Sequence, residues 1–336
     1  MATIGDVARE AGVSRSTVSY ALSGNRAISR ETRERIQAAI QELGFTPNAG
    51  ARALATAQTK VIGVLLQFFE DEFQPAMMQY LIPIADAARN AGYDILMVTE
   101  SDGPRALKRI TNSNMVDGVV LLNVARDDPR LKPLRSSPKP GVLIGLPFDT
   151  EGVDIFDLDF GASAEMLVDH LHDCGHQELV LVTPHPHVTE RGGYYSSRFR
   201  DATVARAERY GIKLHVHAGE TRQPAVSETW NRILDATSQA TGIIVHNDAM
   251  VAALPSVLTA RGVSVPEDVA VVGIFSEDFG REFSLPYSAI ETSPEKLGRA
   301  AVAALVERMK HPHDGPPHLV EFIQPELTDR GSTRPL

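Results

Sequence analysis

The sequence predicts a small all-α helix-turn-helix domain followed by a two-lobed α/β body whose parallel sheets carry helices on both faces. Three observations carry that reading. Two short helices with capping residues are joined by a glycine turn within the first 22 residues. From Lys60 on, short β-branched runs alternate with amphipathic helices. After residues 153–158 the alternation starts again, so one lobe becomes two.

At the N-terminus, Thr3 is placed to cap a helix with Asp6 in its first turn, and Ile4, Val7, Ala8 and Ala11 mark one apolar face. Gly12 stops it. Ser14 caps a second helix that turns Val18, Ala21 and Leu22 inward and Arg15, Ser16, Ser19 and Tyr20 outward. A helix of this kind reads base edges from its N-terminal half, where Arg15 suits a guanine, Ser16 is permissive and Tyr20 reaches a base or phosphate. The plainer alternative is an exposed helical hairpin with no ligand. Ser29 starts a third helix, with Ile36, Ile40 and Leu43 at helical spacing and Gly44 as its stop. Residues 1–60 hold eight Lys and Arg against five Asp and Glu, net +3, in a chain of net charge -10, which leaves -13 for the remainder. The positive end is the one suited to phosphate. Residues 47–60 are alanine-rich but include Gly50, so they read as a marginal helix that folds on binding or as a flexible linker.

In the body, strands are expected at 61–66, 95–98, 118–122 and 141–144, with helices at 75–91 and 106–115 between them. The restart places helices at 161–173, 196–210, 225–237 and 248–261, and strands at 178–183, 212–217, 242–245 and 269–274. Residues 287–291 and 320–325 look like returning strands around a helix at 294–310, so the tail crosses back to the first lobe.

The 336 residues, 43% apolar, suffice for two or three domains. A single cysteine, Cys174, fits a reducing compartment, and with neither a basic-then-apolar leader nor any run approaching 18 apolar residues, a cytoplasmic chain without membrane insertion is expected. No nucleophile elbow, phosphate loop or dinucleotide fingerprint occurs, so neither an enzyme nor a cofactor is expected. His170 and Cys174 share a helix face, but His176 after Gly175 reads as a cation easing the helix dipole, and no metal is expected. His215 and His217 read as solvated, and Asp157 and Asp159 as marking the bend between lobes.

The ordered matches Thr3-Ile4, Asp6-Val7-Ala8, Ala11-Gly12-Val13-Ser14, Thr17-Val18-Ser19, Leu22-Ser23-Gly24, Glu31-Thr32-Arg33 and Pro47-Asn48 resemble the signature of the LacI family of bacterial transcription regulators. Asp173-Cys-Gly-His176 and residues 265–273 are further marks of the same family. The resemblance implies a headpiece over 1–46, a hinge over 47–60 and a periplasmic-binding-protein-like, effector-binding and dimerising body over 61–336. Lobe 1 would take about 61–158 and 291–322, and lobe 2 about 159–290 and 323–330. It implies operator contacts from Thr3, Ser14, Arg15, Ser16, Thr17, Ser19, Tyr20, Asn25, Asn48, Ala51 and Leu54, with Leu54 wedging a base step in the minor groove. Family members usually carry arginine where this chain has Tyr20.

A ligand in such a body lies beyond the carboxyl ends of the strands, which nominates Asn123, Phe148 and Thr221. The resemblance adds Gln74, Arg198 as a clamp on sugar hydroxyls, and Asn247 with Asp248. This chain has Gly273-Ile-Phe275-Ser276 where the family shows Gly-Phe/Tyr-Asp-Asp. Phe275 would then stack on a sugar face, and Glu277 or Asp278 would replace the lost acceptor. A lengthened loop brings Phe68, Phe69 and Phe73, which line a groove or belong to the core. The expected protein is a homodimeric repressor released from double-stranded operator DNA by a sugar or glycoside. Its alternatives are a corepressor-dependent or partner-dependent regulator and, from another class, a sugar-binding module or hydrolase.

Overall fold

The computed structural model describes residues 2–23, 27–45, 50, 53, 56, 58–69, 73–311 and 315–336. Most of the expected hinge, including Asn48, Ala51 and Leu54, lies outside the described residues, as do Asn25 and residues 70–72.

In the headpiece, α1 (Ile4–Glu10), α2 (Arg15–Ser23) and α3 (Arg30–Leu43) close on Val7, Ala8, Ala11, Val18, Ile36 and Ala39. Each boundary has a local cause. Thr3 and Asp6 form a reciprocal capping box, Ser29 caps α3 through the Thr32 amide, and Gly44 ends it with φ of 56°. The Arg35 guanidinium donates to the Ala11 and Gly12 carbonyls, pinning α3 to the turn.

The body holds two sheets built to one plan. The first runs β11-β5-β4-β3-β1-β2, from β1 (Val61–Leu65), β2 (Asp94–Val98), β3 (Gly118–Leu121), β4 (Gly141–Ile144), β5 (Asp154–Leu158) and the late strand β11 (Val320–Ile323). All its pairings are parallel, as buried β-branched runs flanked by helices require. Helices α4 (Gln74–Asn90) and α13 (Pro294–Lys310) cover one face through Ile84, Leu297 and Leu305, and α5 (Gly103–Asn112) covers the other through Leu107 and Ile110. A short α6 (Leu131–Arg135), absent from the sequence reading, precedes β4.

The second sheet runs β12-β10-β9-β8-β6-β7, from β6 (Glu178–Thr183), β7 (Lys213–Ala218), β8 (Gly242–Val245), β9 (Ala270–Ile274), β10 (Ser288–Ile290) and β12 (Leu327–Thr328). Only β12 is antiparallel. Its faces are covered by α7 (Phe160–Asp173) and α9 (Tyr194–Tyr210) on one side and by α10 (Ala225–Ala236) and α11 (Asp248–Arg261) on the other. Two one-turn helices, α8 (Pro186–Glu190) and α12 (Glu277–Glu282), escaped the sequence reading because each is too short to show a period. The tail passes through lobe 1 as α13 and β11, then returns to lobe 2, where the Leu336 amide donates to the Cys174 carbonyl.

His176 departs from its expected role. It is buried, its Nδ1 is 2.8 Å from the Thr241 hydroxyl, and burial lowers its pKa, so it is a neutral partner of Thr241 and not a cation on the helix dipole. His170 is engaged instead with Thr333 at 2.8 Å, and His215 with Glu178 at 2.8 Å. Among the described residues no group of three metal-ligating side chains forms, and no helix is long and apolar enough to cross a membrane.

Candidate ligand cavity and nucleic-acid face

On α2, Arg15, Ser16 and Tyr20 are exposed on one face, while Thr17 and Ser19 are half-buried. Ser14 stands at the start, its hydroxyl accepting from the Thr17 amide at 3.1 Å and sharing hydrogen bonds with the Ser16 and Thr17 hydroxyls. Thr3 is likewise held in its cap, and its hydroxyl is the first cause keeping the Asp6 carboxyl below the usual carboxylate range. The Arg15 guanidinium lies across Gly5, where an added Cβ would come within 2.8 Å of its Nη2. Gly5 therefore gives the arginine room at the base of α1, a role the sequence reading missed.

Between the lobes lies a cavity of about 570 Å³, within the range for small-molecule sites. Of the nominated residues, Phe73, Asn123, Thr221, Asn247 and Asp248 line it. Asn123, in a left-handed conformation at the end of β3, turns its amide onto the Gln67 carbonyl at 3.1 Å. Asn247 caps α11 by accepting from the Met250 amide, and its amide reaches back to the Thr183 carbonyl. Gly219 makes room for it, since a Cβ there would stand 2.6 Å from the Asn247 amide nitrogen.

Four nominations fail. Phe275 is 1% exposed and sits in the lobe 2 core with Phe279 and Tyr287, its ring covered by Gly273, Gly280 and the Arg330 guanidinium. Strand alternation is the reason: with Phe275 turned into the core, the next residue, Ser276, faces the cavity, caps α12 and bonds to Gln79 of lobe 1. Glu277, like Asp278, is exposed and paired with Arg281. Gln74 is exposed on the first turn of α4, while Phe73 before it turns inward. Phe148 is 64% exposed outside the cavity, beneath the Arg126 guanidinium. The aromatic loop divides: Phe68 packs on the lobe 1 core, Phe69 lies 3.8 Å from the Arg191 guanidinium, and Phe73 meets Phe279 and Phe283 of lobe 2.

Arg198 is not an open clamp. Its guanidinium is bonded to Asp157, which lines the cavity from the end of β5, and lies over the Phe160 and Tyr194 rings. Asp157 also accepts from the Leu146 and Leu158 amides. It is thus a site residue, where the sequence suggested only a bend; Asp159 is the cap of α7. Burial raises Asp157 to about 6 against the pull of Arg198, and raises Asp248 to about 6. Tyr80, lining the same space, is pushed upward by burial and by both carboxylates. His246, just before Asn247, lines the cavity too and is depressed to about 3 by burial.

In lobe 1 the buried Asp128–Arg130 pair holds the strand ends. Arg130 donates to Asp128 and to the Leu65, Leu122 and Asn123 carbonyls, and Asp128 accepts from the Ala125 amide. The lobes also touch through the Arg126 amide and Gly192 carbonyl at 2.7 Å, through Ala125 and Gly193, and through Gln79 and Ser276. The arrangement offers carboxylates, amides and hydroxyls beside aromatic rings, a set suited to a hydroxylated ligand.

Residues 3–48 match the family described as bacterial regulatory proteins, lacI family, and residues 168–333 match the periplasmic binding protein-like domain. The chain is 29% identical over 346 residues to the HTH-type transcriptional repressor PurR of Haemophilus influenzae, covering 99% of each chain. It is 28% identical over 324 residues to the HTH-type transcriptional regulator CelR of Thermobifida fusca, covering 95% of each. Among solved structures, a CelR–cellobiose complex matches 99% of this chain and 100% of its own at a TM-score of 0.64 and 26% identity. A lac repressor dimer bound to operator and the anti-inducer ONPF shares the fold, with a TM-score of 0.80 and 22% identity over 99% of each chain.

Proposed function

Because the chain belongs to the lacI family of bacterial regulatory proteins, and so is a DNA-binding transcription regulator and not an enzyme, we propose how its parts divide that task. The headpiece, residues 1–46, reads a pseudopalindromic operator through the Arg15, Ser16 and Tyr20 face of α2, with Thr3, Ser14, Thr17 and Ser19 at its edges. Residues 47–60 join it to a homodimeric body. Met78 and Ile82 on α4 and Met97 on the edge strand β2 are exposed large apolar residues, and they offer lobe 1 a face for a second copy. The regulator works in the cytoplasm, where its DNA is.

A sugar or glycoside in the interlobe cavity releases it. The observation that carries this is the cavity itself: about 570 Å³, bounded by both lobes, with Asp157 of one lobe gripped by Arg198 of the other. A ligand that binds between the lobes binds their relative placements unequally, and only such a difference can shift a DNA-binding equilibrium. The relative whose complex contains cellobiose makes a disaccharide the first compound to try. The test is operator binding by fluorescence anisotropy across a panel of neutral sugars. Release by a member supports the reading, tightening reverses its sign to a corepressor, and no response overturns it.

A further inference from the structure

We infer that His246, and not the neighbouring Asn247, is the polar side chain of the lobe 2 wall that hydrogen-bonds the ligand, and that it selects an uncharged hydroxyl over a phosphate. This deepens the sugar reading above and rests on it. Asn247 has both ends of its amide engaged, the oxygen by the Met250 amide and the nitrogen by the Thr183 carbonyl. His246 is 7% exposed, lines the cavity, and its buried Nδ1 has no hydrogen-bond partner. Such a group in a native interior calls for an explanation, and a ligand toward which the ring turns supplies one.

The ring is held by other rings. Phe160 stacks on it at 5.7 Å between centroids, Tyr195 meets it edge-on at 5.6 Å and Phe199 lies at 4.3 Å. Phe160 and Tyr195 line the cavity themselves, so the imidazole is set among rings that face the same space. An apolar cage disfavours the imidazolium, in keeping with the depressed pKa, and a neutral imidazole presents one donor and one acceptor, as a hydroxyl does. The cavity's carboxylates weigh against an anion: Arg130 is already paired with Asp128, and a phosphate would meet Asp128, Asp157 and Asp248.

The test titrates the full-length wild type, His246→Phe and His246→Gln with glucose, maltose, lactose, cellobiose and glucose 6-phosphate by calorimetry, with ligand-free melting measured alongside. The wild type should bind a neutral sugar and ignore the phosphate. His246→Phe, which keeps a flat ring, should weaken that sugar roughly tenfold, while His246→Gln, which keeps a donor and an acceptor, should stay within about threefold. Equal binding by His246→Phe, equal losses in both variants, or preference for glucose 6-phosphate would each overturn the inference while leaving the regulator reading intact. A wild type that binds none of the neutral sugars would overturn the sugar reading and this inference together. Should His246→Phe fail to fold, the imidazole nitrogen resonances of wild-type His246 decide: they shift on adding the sugar that binds, and unchanged resonances contradict the assignment.

Discussion

The two lobes share a strand order and differ at the ends of their strands. In lobe 1 the loop after β3 is fastened by a buried ion pair: Asp128 and Arg130, 2% and 8% exposed at their side chains, tie together carbonyls from β1 and the β3 loop. In lobe 2 the matching loops are fastened by neutral groups, with Asn247 as a helix cap and His246 among Phe160, Tyr195 and Phe199. One plan of sheet and helix therefore carries two chemistries, a buried ion pair across the strand ends of lobe 1 and a helix cap beside a ring-caged imidazole in lobe 2. The fold sets where a ligand goes, and the strand ends set what it is.

The largest expected effect follows from the lobe 1 pair. Arg130→Met strands the Asp128 carboxylate in the interior and frees three carbonyls, so urea unfolding should show a loss of about 3–5 kcal/mol. The double variant Asp128→Asn with Arg130→Met should recover part of it, because no buried charge is then left alone. A single variant within about 0.5 kcal/mol of wild type would mean that the pair contributes nothing beyond a surface bridge.

The second effect separates the cavity's carboxylates from its imidazole by pH. Asp157 and Asp248 are raised from an ordinary value of 3.8 to about 6 in the folded chain. Between about 4 and 6 the folded state keeps protons that the unfolded state has lost, so these groups make stability fall as pH rises through that window. His246, lowered from 6.5 to about 3, does the opposite: the unfolded chain binds a proton that the folded chain refuses, so its contribution rises with pH. Relative to wild type, Asp248→Asn should make stability climb with pH between about 4 and 6 by on the order of 1–3 kcal/mol, and His246→Phe should make it decline. Denaturation curves for the three proteins across that range check this, and parallel profiles would contradict the assignment of these groups.

How far such features can be read in advance depends on their range along the chain. Thr3, Ser29 and Gly44 announce their helix ends because a cap is made within three or four residues. The parallel strands are equally open, since a buried run of Val, Ile and Leu has few other uses. The cavity is not. Asp157 meets Arg198 across 41 residues and Ser276 meets Gln79 across 197, and no local pattern marks either pair. Phe275 misled for a related reason: at a strand end, one residue of pleat separates the core from the cleft, and an aromatic suits both. His176 was misread because its partner Thr241 lies 65 residues away.

Two smaller effects extend the comparison to the headpiece, which closes its own core apart from both lobes. Arg15→Ala should cost about 1–3 kcal/mol of discrimination between operator and random DNA in competition binding, with sugar affinity unchanged. Equal losses on both DNAs would restrict Arg15 to a phosphate. Thr3→Ala, which opens the capping box of α1, should cost about 1 kcal/mol of headpiece stability by hydrogen exchange and leave the exchange of both lobes as it was. Slowed or unchanged exchange in α1 would show that the cap contributes nothing.

The central claim is that the cavity between the lobes governs the headpiece, and Arg198 is the place to cut that connection. Arg198→Ala removes the lobe 2 partner of the cavity carboxylate Asp157 without touching the DNA-reading face. Operator affinity is measured by fluorescence anisotropy for wild type and variant, with and without the sugar that releases the wild type. The account expects equal affinity without sugar and a variant that stays on its operator at the concentration that frees the wild type. A variant released at the same concentration as the wild type would contradict it.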